Sequence, residues 1–269
     1  VTQDSTLTGG NSDLIYFGST LTGSTNDLAL ENSSVEFISN VSGFADLTVD
    51  GQVLFNASGD QSVTTQNNQT YKSPVEINSI LTVTANDGNE ATEETVVMHG
   101  ISSGSGSLVL TASIAELYTA DYITNGSQKY ICKNGVRVLG NLSGKTWQAT
   151  SSVSGVSDIY ITDCPLFLDF GSNSFSLNAD LTAGDIYFYS GALTVQNSKT
   201  IRAAKESNGN GNIALWGTSY SSVDPRYSDS NSRFAYYGYE NLVYKAASSF
   251  GASLSTSLAN ITAEGNFYA

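Results

Sequence analysis

The chain has 269 residues, of which only 13% are charged, with 11 Lys plus Arg against 25 Asp plus Glu and a formal charge of −14. That balance excludes a phosphate backbone or an anionic membrane surface as a natural partner, because both are held by clustered Lys and Arg. A hydrophobic content of 40% excludes full disorder, and no apolar run approaches the ~20 residues of a membrane-spanning helix.

Residues 1–30 are rich in Thr, Ser, Gly and Asn, with one apolar cluster, Leu14-Ile15-Tyr16-Phe17. This stretch reads as a first strand or an arm that pairs with another subunit. From residue 31 to 206, short β-branched or aromatic runs alternate with Asn, Asp, Gly and Ser at intervals of roughly eight to twelve residues, the spacing of many-stranded architectures. The predicted strands there are 35–38, 46–49, 52–55, 75–77, 80–85, 95–98, 107–112, 130–132, 136–139 and 159–161. Their period of two places one set of side chains inward and the other outward. The 112–122 run has apolar residues at Ile114, Leu117 and Tyr118, which suits a short helix or a strand crossover. Asn134-Gly135 is a hairpin signal, and hence a sign of antiparallel pairing. Residues 207–269 are Tyr-rich, including Tyr236, Tyr237 and Tyr239, and 241–258 is the best helix candidate of the chain.

The fold expectation is mainly all-β: a parallel β-solenoid or stacked-sheet architecture, with two β-sandwich domains as the alternative and a short helix near the C-terminus. In a solenoid no coil buries its inward side chains alone. Coils of roughly twenty to thirty residues therefore stack at the ~4.8 Å strand spacing into one continuous core.

The residues Leu47-Thr48-Val49, Val53-Leu54-Phe55-Asn56, Thr64-Thr65, Gln69-Thr70-Tyr71 and Val75-Glu76-Ile77 form a degenerate repeat. Ala183-Gly184-Asp185-Ile186 and Gly191-Ala192-Leu193-Thr194-Val195 belong to a second set. These segments resemble repeat units of filamentous-haemagglutinin-like and autotransporter-like surface proteins, over less than half of the chain. The resemblance implies a right-handed parallel β-solenoid displayed at a cell surface.

The first residue is Val1 and the single methionine is Met98, which fits an exported chain freed of a signal peptide. Seven Asn-X-Ser/Thr acceptors, Asn32, Asn40, Asn56, Asn68, Asn125, Asn141 and Asn260, are glycosylation candidates if the producing cell modifies secreted asparagines. Cys132 and Cys164 are the only cysteines. They read either as two buried thiols or as one disulfide closing a loop of about thirty residues, worth ~2–4 kcal/mol.

Chemistry is sparse. Gly100-Ile101-Ser102-Ser103-Gly104 fits the nucleophile-elbow pattern by letter, beside His99, the only histidine. That motif needs a following helix and a later histidine, whereas Leu108-Val109-Leu110 reads as a strand. Asp158, Asp163 and Asp169 offer carboxylates for a polysaccharide-cleaving site, but turn chemistry is the preferred reading of acidic residues at such positions. Asp46, Asp50, Asp60 and Asp87 have the oxygen ligands Ca²⁺ takes, yet match no calcium loop. No other cofactor is implied.

The expected role is a secreted, extracellular structural protein: a self-assembling subunit of a cell-surface filament, sheath or appendage, whose main partner is itself. The assembly residues expected are Leu14, Ile15, Tyr16 and Phe17 at one end and Tyr236, Tyr237 and Tyr239 at the other. Two rivals remain, an adhesin that binds surface glycans and a polysaccharide-degrading enzyme.

Overall fold

Strands of three to six residues expose half of their side chains to the interior, and here they satisfy that side by winding into coils. The computed structural model describes residues 2–10, 13–89, 92–102, 104–118, 128–138, 146–147, 159–161, 165–169, 174–177, 180–189, 192–195, 199–205, 211–216, 253–256, 260–263, 265 and 267–268.

The described strands line three faces of a β-solenoid. On the first face, Ser5–Thr8, Leu28–Glu31, Leu47–Val49, Gln69–Tyr71 and Thr95–Met98 stack in succession. The stack continues through the later halves of Ser107–Leu117 and Gln128–Val138. It then runs into Pro165–Asp169, Asp185–Tyr189, Ile213–Trp216 and Phe267–Tyr268. The second face carries Leu14–Phe17, Ser34–Phe37, Val53–Phe55, Val75–Ile77 and Ile101–Ser102. The strands Thr146–Trp147, Ser174–Leu177, Ala192–Val195 and Ser253–Thr256 take the same place in chain order further on. The third face runs from Leu21–Thr22, Val41–Phe44, Gln61–Thr65 and Ile80–Ala85, through the first halves of the two long strands, to Ile159–Ile161, Leu181–Ala183, Thr200–Ala203 and Asn260–Ala263.

Every described pairing is parallel, and partners step forward along the chain by 18 residues (Val35 to Val53) to 31 (Gln128 to Ile159) before longer last steps such as that from Ile213 to Phe267. Parallel in-register stacking of neighbours is what defines a solenoid. It also rules out the two-sandwich alternative, whose sheets are antiparallel.

Three local expectations are corrected. The described part of the 112–122 run is neither a helix nor a crossover: it belongs to the single strand Ser107–Leu117, with a bulge between Ala112 and Ile114, and residues 119–122 lie outside the described residues. The bulge shifts the inward set by one residue, so Ile114 and Leu117 acquire a spacing that mimics a helix. Asn134-Gly135 is not a hairpin but a bend inside the continuous strand Gln128–Val138, where Gly135 takes φ +115°. The expected C-terminal helix is interrupted by the strand Ser253–Thr256; the rest of 241–258 lies outside the described residues, and no helix occurs among the described ones.

The core is a set of columns. Leu30, Val49, Tyr71, Met98, Leu117, Val138, Leu168 and Phe188 stand above one another on the first face, each at most 2% exposed. On the second face the rings of Phe17, Phe37 and Phe55 stack at 5.1 and 5.5 Å. Burial of each such side chain is worth about 1.5–3 kcal/mol, and stacked aromatic pairs add about 0.5–1.5 kcal/mol. Polar groups within the core bond one another: the Tyr71 and Tyr130 hydroxyls donate to Gln69 Oε1 and Gln128 Oε1, both at 2.8 Å. Gln69 Nε2 in turn reaches the Thr84 carbonyl at 2.9 Å, and Gln61 Nε2 reaches the carbonyls of Phe37 and Ser39 at 3.0 and 2.8 Å.

Asp and Asn residues ahead of the first-face strands form a second, polar column. Asp4 Oδ1 accepts from the Asp27 amide, Asp27 Oδ1 from the Asp46 amide, Asp46 Oδ1 from the Asn68 amide and Asn68 Oδ1 from the Thr95 amide, at 2.8–3.2 Å. Asn40 serves Ser62 and Asp180 serves Thr200 in the same way at the start of third-face strands. Where a coil leaves the backbone ladder at a corner, these side chains satisfy the amides that the turn would otherwise strand.

Candidate assembly face

Residues 5–22 form the first described coil, and each of its strands has a parallel neighbour on one side only among the described residues: Ser5–Thr8 with Leu28–Glu31, Leu14–Phe17 with Ser34–Phe37, Leu21–Thr22 with Val41–Phe44. The amides of Ser5, Gly9 and Leu21 and the carbonyls of Asp13 and Phe17 bond the second coil. Alternate residues of a strand present their backbone groups to opposite neighbours, so those of Thr6, Thr8, Leu14 and Tyr16 turn away from it, as on any sheet edge.

The side chains follow the same geometry. Leu7 is in register with Leu30, so it belongs to the first-face core column, yet it is 43% exposed where Leu30 is fully buried. Ile15, Phe17 and Leu21 are likewise core-column residues, half-buried and packed on the second coil. Leu14 and Tyr16, in register with Ser34 and Glu36, lie on the outward side and are 57% and 56% exposed. The four expected residues thus divide into two kinds. Ile15 and Phe17 pack on the core of the second coil, whereas Leu14 and Tyr16 make an apolar rim. Leu7 and Leu21 complete the face and were missed in the Thr-rich sequence around them. The strict period of two carried into Leu21-Thr22 is the signal that identifies Leu21. Tyr236, Tyr237 and Tyr239 lie outside the described residues.

The coil is held in a tight form. Asp13 Oδ2 accepts from the Gly10 amide at 2.7 Å, and the Gly10 carbonyl accepts from the Asp13 amide at 2.8 Å. Gly43 adopts φ +77°, and a Cβ there would lie 2.7 Å from the Gly23 carbonyl oxygen, so only glycine lets these two coils approach at that corner.

Other residues singled out in the sequence fall elsewhere. Asn32, Asn40, Asn56 and Asn68 are exposed near strand ends. Asn260 begins a third-face strand, and Asn125 and Asn141 lie outside the described residues. Cys132 is buried on the third face; Cys164 lies outside the described residues. His99 is exposed and stacks on the Tyr118 ring at 4.7 Å. Ser102 ends a short parallel strand and the next element is a strand, not the helix that a nucleophile elbow requires. Asp158 and Asp163 lie outside the described residues, and Asp169 ends the first-face strand Pro165–Asp169.

The four aspartates considered for Ca²⁺ are dispersed. Asp46 belongs to the polar column, and Asp50 pairs with Lys72 at 2.6 Å. Asp87 folds onto the Asn89 amide and the Thr92 hydroxyl; the amide first, then the hydroxyl, holds its carboxyl below the usual range. Asp60 lines an open groove of about 360 Å³ with Gly59, Asn78, Ile80, Ser105 and Ser107. No group of three or more His, Cys, Asp or Glu placed to hold a metal ion occurs among the described residues. No described helix is long and apolar enough to cross a membrane.

No protein-family model matches the chain, and no curated protein or solved structure shows significant similarity to it. The β-solenoid therefore defines a fold class here, not a family.

Proposed function

We propose that this protein is a structural subunit that polymerises by coil-on-coil stacking, as part of an extracellular filament, sheath or appendage. The observation that carries the reading is the first coil. Its core-column residues Leu7, Ile15, Phe17 and Leu21 are incompletely covered, and its strands are paired on one side among the described residues. A second copy placed there would bury Leu7, supply partners for the outward amides and extend the columns without any new kind of contact.

The polar column favours head-to-tail addition. In every observed bond the side-chain acceptor sits in the earlier coil and the amide donor in the later one. A head-to-tail stack preserves that sense, and such a heterologous contact grows into an open fibre.

Electron microscopy of the purified protein at rising concentration tests this. Ordered polymers, lost when Leu7→Asp is combined with Tyr16→Asp, are the expected result. Stable monomers that retain a polysaccharide would instead favour the adhesin, through the groove at Asp60 and Ile80. Cleavage of that polysaccharide, abolished by Asp169→Asn, would favour the enzyme.

A further inference from the structure

The polar column contains two Asp–Asn pairs of the same design and opposite surroundings. Asp46 Oδ1 accepts both the Asn68 amide, at 2.8 Å, and Asn68 Nδ2, at 3.1 Å, at an exposed corner with Asn68 open to solvent. Asp185 Oδ1 accepts the Asn212 amide at 2.9 Å and Asn212 Nδ2 at 3.0 Å, but here Asp185 is 0% exposed. Its second oxygen is met by Lys205, whose Nζ lies 2.6 Å from Oδ2 with the lysine side chain only 16% exposed. One buried carboxylate therefore holds an amine on one oxygen and a carboxamide on the other. A structural corner needs only the amide bond that Asp46 already illustrates; the lysine is an addition.

We propose that Lys205 and Asn212 are joined by an intramolecular isopeptide bond, formed autocatalytically with Asp185 as the proton carrier. Asp185 Oδ2 takes a proton from the Lys205 ammonium. The Nζ lone pair then attacks Asn212 Cγ and forms the new C–N bond. Asp185 returns its proton to the carboxamide nitrogen as the Cγ–Nδ2 bond breaks, and ammonia leaves with it. The amine loses its second proton to that ammonia, so lysine ammonium plus carboxamide become an amide plus one ammonium ion. No oxidant, metal or cofactor is consumed. The fold supplies what the reaction lacks in water, a nucleophile and an electrophile held on one group and shielded from solvent.

The bond would close residues 205–212 into a covalent ring at the corner between Thr200–Ala203 and Ile213–Trp216, clamping two successive coils. It is independent of how copies assemble.

Intact-mass measurement of the purified, folded protein tests it directly. The expected mass is lower than that of the sequence by one ammonia, and protease digestion releases a branched peptide linking Lys205 to Asn212. Both features vanish in Lys205→Met and in Asp185→Ala, with strand content by circular dichroism reporting that each variant has folded. A wild-type mass equal to that of the full sequence overturns the proposal. So does an ammonia deficit that persists in Lys205→Met, which would mark succinimide formation at an Asn-Gly pair. Loss of one water instead would put the bond on Asp185 itself and overturn the assignment to Asn212.

Discussion

The corner that leads from the third face back to the first is built in two ways. Between residues 41 and 71 the chain breaks its ladder at each turn, and Asp46 and Asn68 bond the amides of the next coil. Between residues 107 and 138 it does not break: Ser107–Leu117 and Gln128–Val138 run through the corner as bent strands. In the first of these the Ser113 and Ile114 amides both donate to the Glu94 carbonyl at 3.0 Å, and Ser113 Oγ donates to Glu94 Oε2 at 2.8 Å. A broken corner is thus repaired by side chains of the coil before it, whereas a continuous corner is bent by one bulge or one left-handed glycine. The first construction tolerates loops of varied length at the corner; the second leaves no loop there.

The two constructions respond differently to substitution, and the largest effect is expected where they share the same core. Phe37→Ala removes a ring stacked between Phe17 and Phe55 and should cost about 3–5 kcal/mol in denaturant unfolding. Leu54→Ala, one strand away on the outward side, should cost far less, and equal losses would mean that the inward set has been assigned to the wrong face. Gln69→Leu leaves the Thr84 carbonyl and the Tyr71 hydroxyl without their partner, which should cost about 1–3 kcal/mol for each stranded group.

Gly135→Ala probes the continuous corner alone. At φ +115° an L side chain is strained by about 1–3 kcal/mol, whereas the same change at Gly59, where nothing lies within 4 Å of the added Cβ, should be nearly neutral. Thermal melts of the two variants measure the difference directly.

Alkaline pH sharpens the comparison further, since Tyr71 lies beside a broken corner and Tyr130 in a continuous strand. Burial pushes both hydroxyls well above the ordinary tyrosine value. The unfolded chain then releases these protons near pH ~10 while the folded chain keeps them, so stability is intact below that pH and falls above it. The expected slope is on the order of 1 kcal/mol per pH unit for each tyrosine. Equilibrium unfolding of Tyr71→Phe and Tyr130→Phe from pH 9 to 12 should show a shallower decline in each. The smallest effect belongs to the exposed column. Asp46→Ala removes the acceptor for the Asn68 amide and should cost about 0.5–2 kcal/mol, as loss of a capping side chain does.

Much of this architecture is legible in the sequence, because inward and outward residues alternate strictly wherever a strand is isolated by turn residues. Val35–Phe37, Val53–Phe55 and Val75–Ile77 show it plainly. The pattern fails at the two bent strands for a physical reason. A bulge at Ser113 changes the inward parity, and Asn134-Gly135 carries the same left-handed glycine whether the chain reverses or merely bends. The first coil is obscured differently. Its first and third strands are short and their outward positions are Thr, so Ser5–Thr8 and Leu21–Thr22 look like the turns around them. At the assembly face the cluster 14–17 stands out by composition, whereas Leu7 gains its meaning only from its register with Leu30. The polar column was hidden altogether, since Asp27, Asp46 and Asn68 are neighbours only after the coils are stacked.

Whether copies join through the first coil is tested most directly by amide hydrogen exchange followed residue by residue across a concentration series. The amides of Thr6, Thr8, Leu14 and Tyr16 should exchange rapidly in dilute solution and become protected as concentration rises, while those of Val53–Phe55 and Ile80–Ala85 remain protected throughout. Protection of residues 5–17 that does not change with concentration would contradict stacking at this face.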